Sequence, residues 1–141
     1  MIYVGNDHAG YSLGMALFEH SLQEELEVYH VGCVSTRPTD YPLFANRVAE
    51  ALRANSIGDR GILCCGTGIG MSIAANRYPH VRAALCATPS QARLAREHNG
   101  ANVLCLSSAL SIDDAWPIVQ IFLTTEVDES ERHVRRRAAL D

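Results

Sequence analysis

The sequence predicts an α/β fold: a Rossmann-like three-layer sandwich, with a five-stranded parallel sheet, helices on both faces and a further C-terminal helix. Three observations carry the prediction. Five short apolar segments suited to buried strands alternate with stretches of helical periodicity. The third segment runs through a glycine-rich turn into a helix of small residues. No repeat, low-complexity tract or interdomain linker interrupts the 141 residues, so one domain over 1–141 is expected.

The first strand is expected over residues 2–5 and ends in Asn6-Asp7-His8-Ala9-Gly10. A helix follows from about 12 to 25, with Leu13, Leu17 and Ser21 on one face and Met15, Phe18 and Leu22 beside it. Residues 27–31 form the second strand, and 35–42 are a loop by composition. Phe44, Ala45, Val48, Ala49 and Leu52 recur at helical spacing, which carries the second helix to about Ala54. The third strand, 61–64, leads through the glycine loop into a helix ending near Pro79. Residues 81–86 are the fourth strand, and a helix over 90–98 is capped near Thr88. The fifth strand covers 101–106. Ser111 then caps a helix bearing Ala115, Trp116, Val119, Phe122 and Leu123, in which Pro117 is early enough to be tolerated. A polar break at 128–131 precedes a basic terminal helix.

Composition narrows the class. A hydrophobic content of 48% with 20% charged residues is that of a soluble globule large enough to bury a core. No apolar run approaches the roughly 20 residues of a membrane span, and the start, Met1-Ile-Tyr-Val-Gly5, reads as a strand rather than a signal peptide. A net charge of −4 argues against a general nucleic-acid binder, although Arg132 to Arg137 is locally basic. The five cysteines (33, 64, 65, 86 and 105) form no C-x-x-C pair. A reduced, cytoplasmic protein is expected, with neither a disulfide framework nor a zinc site. Cys86 and Cys105 read as core, and no role is assigned to Cys33.

The stretch Arg60-Gly-Ile-Leu-Cys-Cys-Gly-Thr-Gly-Ile-Gly-Met-Ser-Ile-Ala-Ala-Asn76 carries the chemistry. A helix starting at the carboxyl edge of a strand offers free N–H groups and a positive dipole end, and glycines let a ligand approach the backbone. Alternation along the strand sends Cys64 to the core and Cys65 toward the loop, where a thiol beside the helix start becomes a better base. The nucleotide-hydrolase phosphate loop is excluded because no lysine is present. A dinucleotide fingerprint fails too, since Met71 holds its sixth place. A tight turn would account for glycines alone, but Cys65 and Thr67 inside the turn favour a binding site.

Ligands of parallel α/β sheets bind at the carboxyl ends of the strands, so Asp7, His8, Cys65 and the glycine loop share one edge. His98 and Asn99 do not, because they precede the fifth strand. Five strand residues span roughly 17 Å. If His98 serves the same site, it must arrive from another subunit.

Several motifs now carry a family resemblance: Asp7-His8-Ala9-Gly10-Tyr11, Asp40-Tyr41-Pro42, the loop and helix from Cys65 to Asn76, Arg82-Ala-Ala-Leu-Cys86, Arg96-Glu-His-Asn99, Ala101-Asn-Val-Leu104 and Arg132-His133. End to end, they resemble the type B ribose-5-phosphate isomerases and the related galactose-6-phosphate isomerase subunits. The resemblance implies an aldose–ketose isomerase of sugar phosphates that needs neither metal nor cofactor. It implies a cis-enediolate intermediate, a place in the pentose phosphate pathway, and a homodimer or tetramer with sites shared between subunits. It further implies Cys65 as the base between C1 and C2, and Thr67 as the residue assisting proton movement at the substrate oxygens. The amides from Gly66 through Gly68 to Gly70 become an anion hole, and His98 the acid/base that opens the ring. Asp7 and Asn99 would bind the sugar, Tyr41 would wall it, and His8, Arg132 and Arg136 would hold phosphate.

The sequence also departs from the family's pattern. Ala109 stands where the ribose-5-phosphate members commonly have an arginine that helps bind phosphate. A galactose-6-phosphate isomerase subunit shows a similar loss and Gly5-Asn-Asp-His8 leans the same way, so a tetrose or hexose phosphate stays open as substrate. Arg37, Arg135 and Arg137 are candidates to supply the missing charge. Ser130-Glu131 replaces a usual Gly-Gly, and Leu13-Gly14 replaces a common lysine. A sugar-phosphate-binding subunit without activity is the reading from a different class. Cys65, Thr67 and His98 stand against it, since a pure binder needs no base.

Overall fold

The computed structural model describes residues 1–53 and 57–141. β1 (Ile2–Asn6), β2 (Val28–His30), β3 (Arg60–Cys65), β4 (Ala83–Leu85) and β5 (Val103–Ser107) form one parallel sheet. Its order is β2-β1-β3-β5-β4. The helices are α1 (Tyr11–Gln23), α2 (Tyr41–Arg53), α3 (Ile69–Ala75), α4 (Pro89–Asn99), α5 (Ile112–Thr124) and α6 (Glu131–Ala138).

Alternation along the strands divides the core in two. Ile2, Val4, Ile62, Cys64, Leu104 and Leu106 face α1, α4 and α5, against Leu17, Ala92, Trp116, Val119 and Phe122. Tyr3, Leu63, Cys65, Val103 and Cys105 face α2 and α3, against Phe44, Val48, Leu52 and Met71. These apolar faces supply the main drive for folding, at about 25 cal/mol per Å² buried. The helical spacing read from Phe44 to Leu52 is the buried face of α2; the expected extension to Ala54 lies outside the described residues. α6 packs on α4 and adds nothing to the sheet.

Boundaries moved where side chains compete with periodicity. Tyr41 and Pro42, expected in a loop, begin α2, because proline in a first turn forfeits only an N–H that lacks a helical partner anyway. α3 stops at Ala75, short of Pro79. There Asn76 donates to the Ala83 carbonyl at 2.9 Å and accepts from the Ala83 amide at 2.8 Å, tying the turn to β4. Asn102 similarly accepts from the Arg82 amide and donates to the His80 carbonyl, both at 2.8 Å, and β5 starts only at Val103. Thr88 and Ser111 cap α4 and α5 as expected, each accepting from an amide three residues on at 3.2 Å. α4 runs through Asn99, and Gly100 takes the left-handed conformation that ends it (φ 58°).

Candidate active site

The strand order reverses between β1 and β3, so the crevice beyond their carboxyl ends is the topological switch point. Asn6 pairs with Cys64, and the Asp7 amide donates to the Cys64 carbonyl at 3.3 Å. The loop bearing Asp7 and His8 therefore leaves the sheet beside the loop bearing Cys65.

Cys65 is buried, and its Sγ accepts from the Gly68 amide at 3.1 Å, so the thiol does turn toward the loop. Cys64 points into the opposite core, where burial drives its pKa far above the usual thiol range and leaves it inert. Gly68 has φ 76°, a left-handed position that favours glycine. Gly70 is required for space, because a Cβ there would lie 2.6 Å from Cζ of Tyr41, whose ring covers the start of α3. Gly66 meets neither requirement: the nearest atom to its missing Cβ is 3.9 Å away. Its lack of a side chain leaves open space beside Cys65.

Thr67 is exposed, and its Oγ1 accepts from the Ile69 amide at 3.2 Å. The Gly68 and Ile69 amides are thereby occupied. Those of Gly66, Thr67 and Gly70 have no partner among the described residues. Asp7 is buried, and its Oδ1 accepts from the Gly10 amide at 2.8 Å. The His8 amide donates to Thr39 Oγ1, and His8 Nδ1 accepts from the Thr39 amide, both at 3.1 Å. That leaves Nε2 to carry the ring proton and to donate outward.

The remaining predicted residues lie at the other end of the sheet. Cys65 is in register with Ser107 at the carboxyl end of β5, whereas His98 and Asn99 precede Val103 at its start. His98 is half-buried and stacks on His133, with centroids 4.3 Å apart and rings 9° from parallel. The His133 pKa is lowered, first by burial and then by His98. Arg132 and Arg136 are exposed one turn apart on α6. Arg137 donates to the Asp128 carbonyl at 2.7 Å and to Glu129 at 3.2 Å. It is buried and turned inward toward Gly100, away from the exposed face of Arg132 and Arg136, and so does not replace the charge missing at Ala109. Arg37 is exposed in the loop whose Thr39 holds His8, and Arg135 is exposed on α6. Two cavities, of about 790 and 360 Å³, both lie away from Cys65 and the glycine loop.

A family model described as ribose/galactose isomerase matches residues 2–140. The chain belongs to this family. Ribose-5-phosphate isomerase B of Escherichia coli is 39% identical over 140 residues, covering 99% of this chain and 93% of that protein. A probable ribose-5-phosphate isomerase B of Mycoplasma genitalium is 42% identical over 137 residues, covering 96% and 90%. Among solved structures, a ribose 5-phosphate isomerase from Thermotoga maritima superposes with a TM-score of 0.94 at 43% identity, covering 99% of this chain and 96% of that one. The M. genitalium enzyme, solved with bound ribulose 5-phosphate, gives 0.92 at 40% identity, covering 99% and 92%.

This ribose/galactose isomerase family member brings Asp7, His8, Tyr41, Cys65, Thr67, Gly66, Gly68 and Gly70 to one crevice. It holds His98, Asn99, Arg132 and Arg136 together at the opposite edge. Sequence reasoning missed the residues that position the first group. Wholly buried Asn6 donates to the Asp7 carbonyl at 3.1 Å and to the Cys33 carbonyl at 3.3 Å, and its Oδ1 meets His30 Nε2 at 2.7 Å. Gly14 makes that possible, since a Cβ there would lie 2.6 Å from Asn6 Oδ1. Ser107 Oγ donates to the Gly66 carbonyl at 2.8 Å and fixes the loop from β5. A serine at the carboxyl end of a strand was the available signal. For Asn6 there was none, because the partners that tie it across the fold, His30 and Cys33, are distant in sequence.

Proposed function

We propose that this chain is an aldose–ketose isomerase interconverting D-ribose 5-phosphate and D-ribulose 5-phosphate. The observation that carries the reading is its end-to-end likeness to a relative solved with bound ribulose 5-phosphate. In this reading the Cys65 thiolate removes the C2 proton of the open aldose and returns it to C1. Negative charge develops on the cis-enediolate oxygens, toward which the amides of Gly66, Thr67 and Gly70, unpartnered among the described residues, are free to donate. Thr67 assists proton movement between the two oxygens. Asp7 and Asn99 bind the sugar, and Tyr41 walls it.

His98, the ring-opening acid/base, is contributed by a second copy of the chain, together with Arg132 and Arg136 for the phosphate; His8 Nε2 adds a donor. A homodimer with shared sites follows. Two features support it: His98 precedes the start of β5 whereas Cys65 is in register with its carboxyl end, and Gly66 and Thr67 of the loop are exposed within one protomer. A cytoplasmic setting and a role in pentose phosphate metabolism accompany this function. Among the described residues all five cysteines are free, and no helix is long and apolar enough to cross a membrane.

A second reading, a tetrose or hexose phosphate substrate, is favoured chiefly by Ala109, with Gly5-Asn-Asp-His8 leaning the same way. One lost charge-assisted contact is worth about 1.5–3 kcal/mol, or roughly ten- to a hundredfold in affinity. Exposed Arg37, near His8, is the cation best placed to compensate. Measuring kcat/KM on tetrose, pentose and hexose phosphates, for the natural chain and for Ala109→Arg and Arg37→Ala, tests the assignment. Ribose 5-phosphate should be the best substrate, with KM rising sharply in Arg37→Ala. A hexose or tetrose preference overturns the ribose reading, and absence of turnover on the whole panel overturns the enzyme reading.

A further inference from the structure

The amino edge of the sheet carries a set of cations that the proposed reaction does not use. Arg60 opens β3, Arg82 directly precedes β4, Arg96 lies in the last turn of α4 and Arg137 in that of α6. All four line one cavity of about 790 Å³, within the range of small-ligand sites. Asp59 and Glu129 are the carboxylates on its wall, so cations outnumber anions there.

The arginines are built in rather than splayed into solvent. Arg96 is 5% exposed and donates to the carbonyls of Ala101 (2.7 Å) and Thr125 (3.3 Å). Arg137 is 8% exposed. The Nε atoms of Arg60 and Arg82 are buried with no hydrogen-bond partner. Glu129 is drawn to Arg137 at 3.2 Å and Asp141 to Arg82 at 2.7 Å. Neither Arg60 nor Arg96 has an ion-pair partner among the described residues. The Arg96 guanidinium is held down at about 10, chiefly by burial and then by the charge of Arg60, with Glu126 opposing. Desolvated like charges held together without a counter-ion are costly, and an anion between them offsets the cost.

We propose that this cavity is a second anion-binding site, taking a small phosphate-bearing ligand between the guanidinium groups of Arg60, Arg82, Arg96 and Arg137. Guanidinium forks converging from four elements suit a tetrahedral oxyanion. The site is distinct from the phosphate ligands assigned above: Arg132 and Arg136 are exposed on α6, whereas Arg137 turns inward toward Gly100. Gly100 keeps the floor clear, since a Cβ there would lie 3.1 Å from Arg137 Cδ and 3.2 Å from Arg82 Nη1. An anion in this place ties β3, β4, α4 and α6 together, so its binding stabilises the fold.

The test is calorimetric titration of inorganic pyrophosphate into the full chain, which reads binding without turnover and so stands apart from the isomerase reading. Saturable binding that weakens with added NaCl is expected. It should fall at least about tenfold in Arg60→Gln and in Arg82→Gln, each checked for folding by circular dichroism, and persist in Arg132→Ala/Arg136→Ala. Affinity unchanged in both glutamine variants overturns the proposal. So does loss of binding in the Arg132→Ala/Arg136→Ala chain, or no saturable binding below about 1 mM.

Discussion

Sharing of the site between subunits can be tested by mixing two dead proteins. Cys65 is in register with Ser107, and the four steps back to Val103 cover about 13 Å of strand before the chain even reaches His98. Proton transfer requires approach to about 3 Å, so one chain cannot bring both groups to one sugar. Cys65→Ala and His98→Ala should each lower kcat by about 10²–10⁴-fold or more. After subunit exchange at equal amounts, about half the dimers are hybrids, and each hybrid pairs one intact site with one doubly defective site. Activity should therefore recover to about a quarter of the natural chain's, with KM unchanged. The assay is ribulose 5-phosphate formation over time, with native mass spectrometry counting hybrids. Hybrids formed without recovered activity would refute the geometry.

Cys64→Ala should cost about 1 kcal/mol of stability by leaving a small void in the core and should keep its activity, the reverse of Cys65→Ala; denaturant melts and kcat report both. Gly66→Ala should keep its Tm, because the new methyl comes no closer than 3.9 Å to other groups, while kcat/KM falls as the methyl fills the space beside Cys65. Stability should fall as pH drops through about 6.5. Burial lowers the pKa of His30, and burial followed by His98 lowers that of His133, so the unfolded chain binds protons that the folded chain does not. Their contribution is complete above the ordinary value of 6.5 and is lost progressively below it. His30→Gln, which can still donate to Asn6 but does not titrate, should flatten part of the Tm–pH slope between pH 5 and 7 by about half or less.

Much of this protein can be read from local sequence, because local rules govern those parts. A period of two separates Cys64 from Cys65, and helical spacing from Phe44 to Leu52 marks the buried face of α2. Five strand–helix units imply a parallel sheet with its functional loops at the carboxyl edge. In a parallel sheet, chain order alone puts His98, before β5, at the amino edge and Cys65, at the end of β3, at the carboxyl edge. What the sequence left undecided depends on contacts between residues far apart in the chain. Strand order put the reversal between β1 and β3, and so put the loop of Asp7 beside that of Cys65. Packing showed that Gly70 yields to the ring of Tyr41 and Gly14 to Asn6, whereas Gly66 yields to no neighbour at all. The same holds for charge: Arg132, Arg136 and Arg137 look alike in a basic run. Only the docking of α6 against α4 buries Arg137 and leaves the other two exposed, because a helix of eight residues can bury one face and no more.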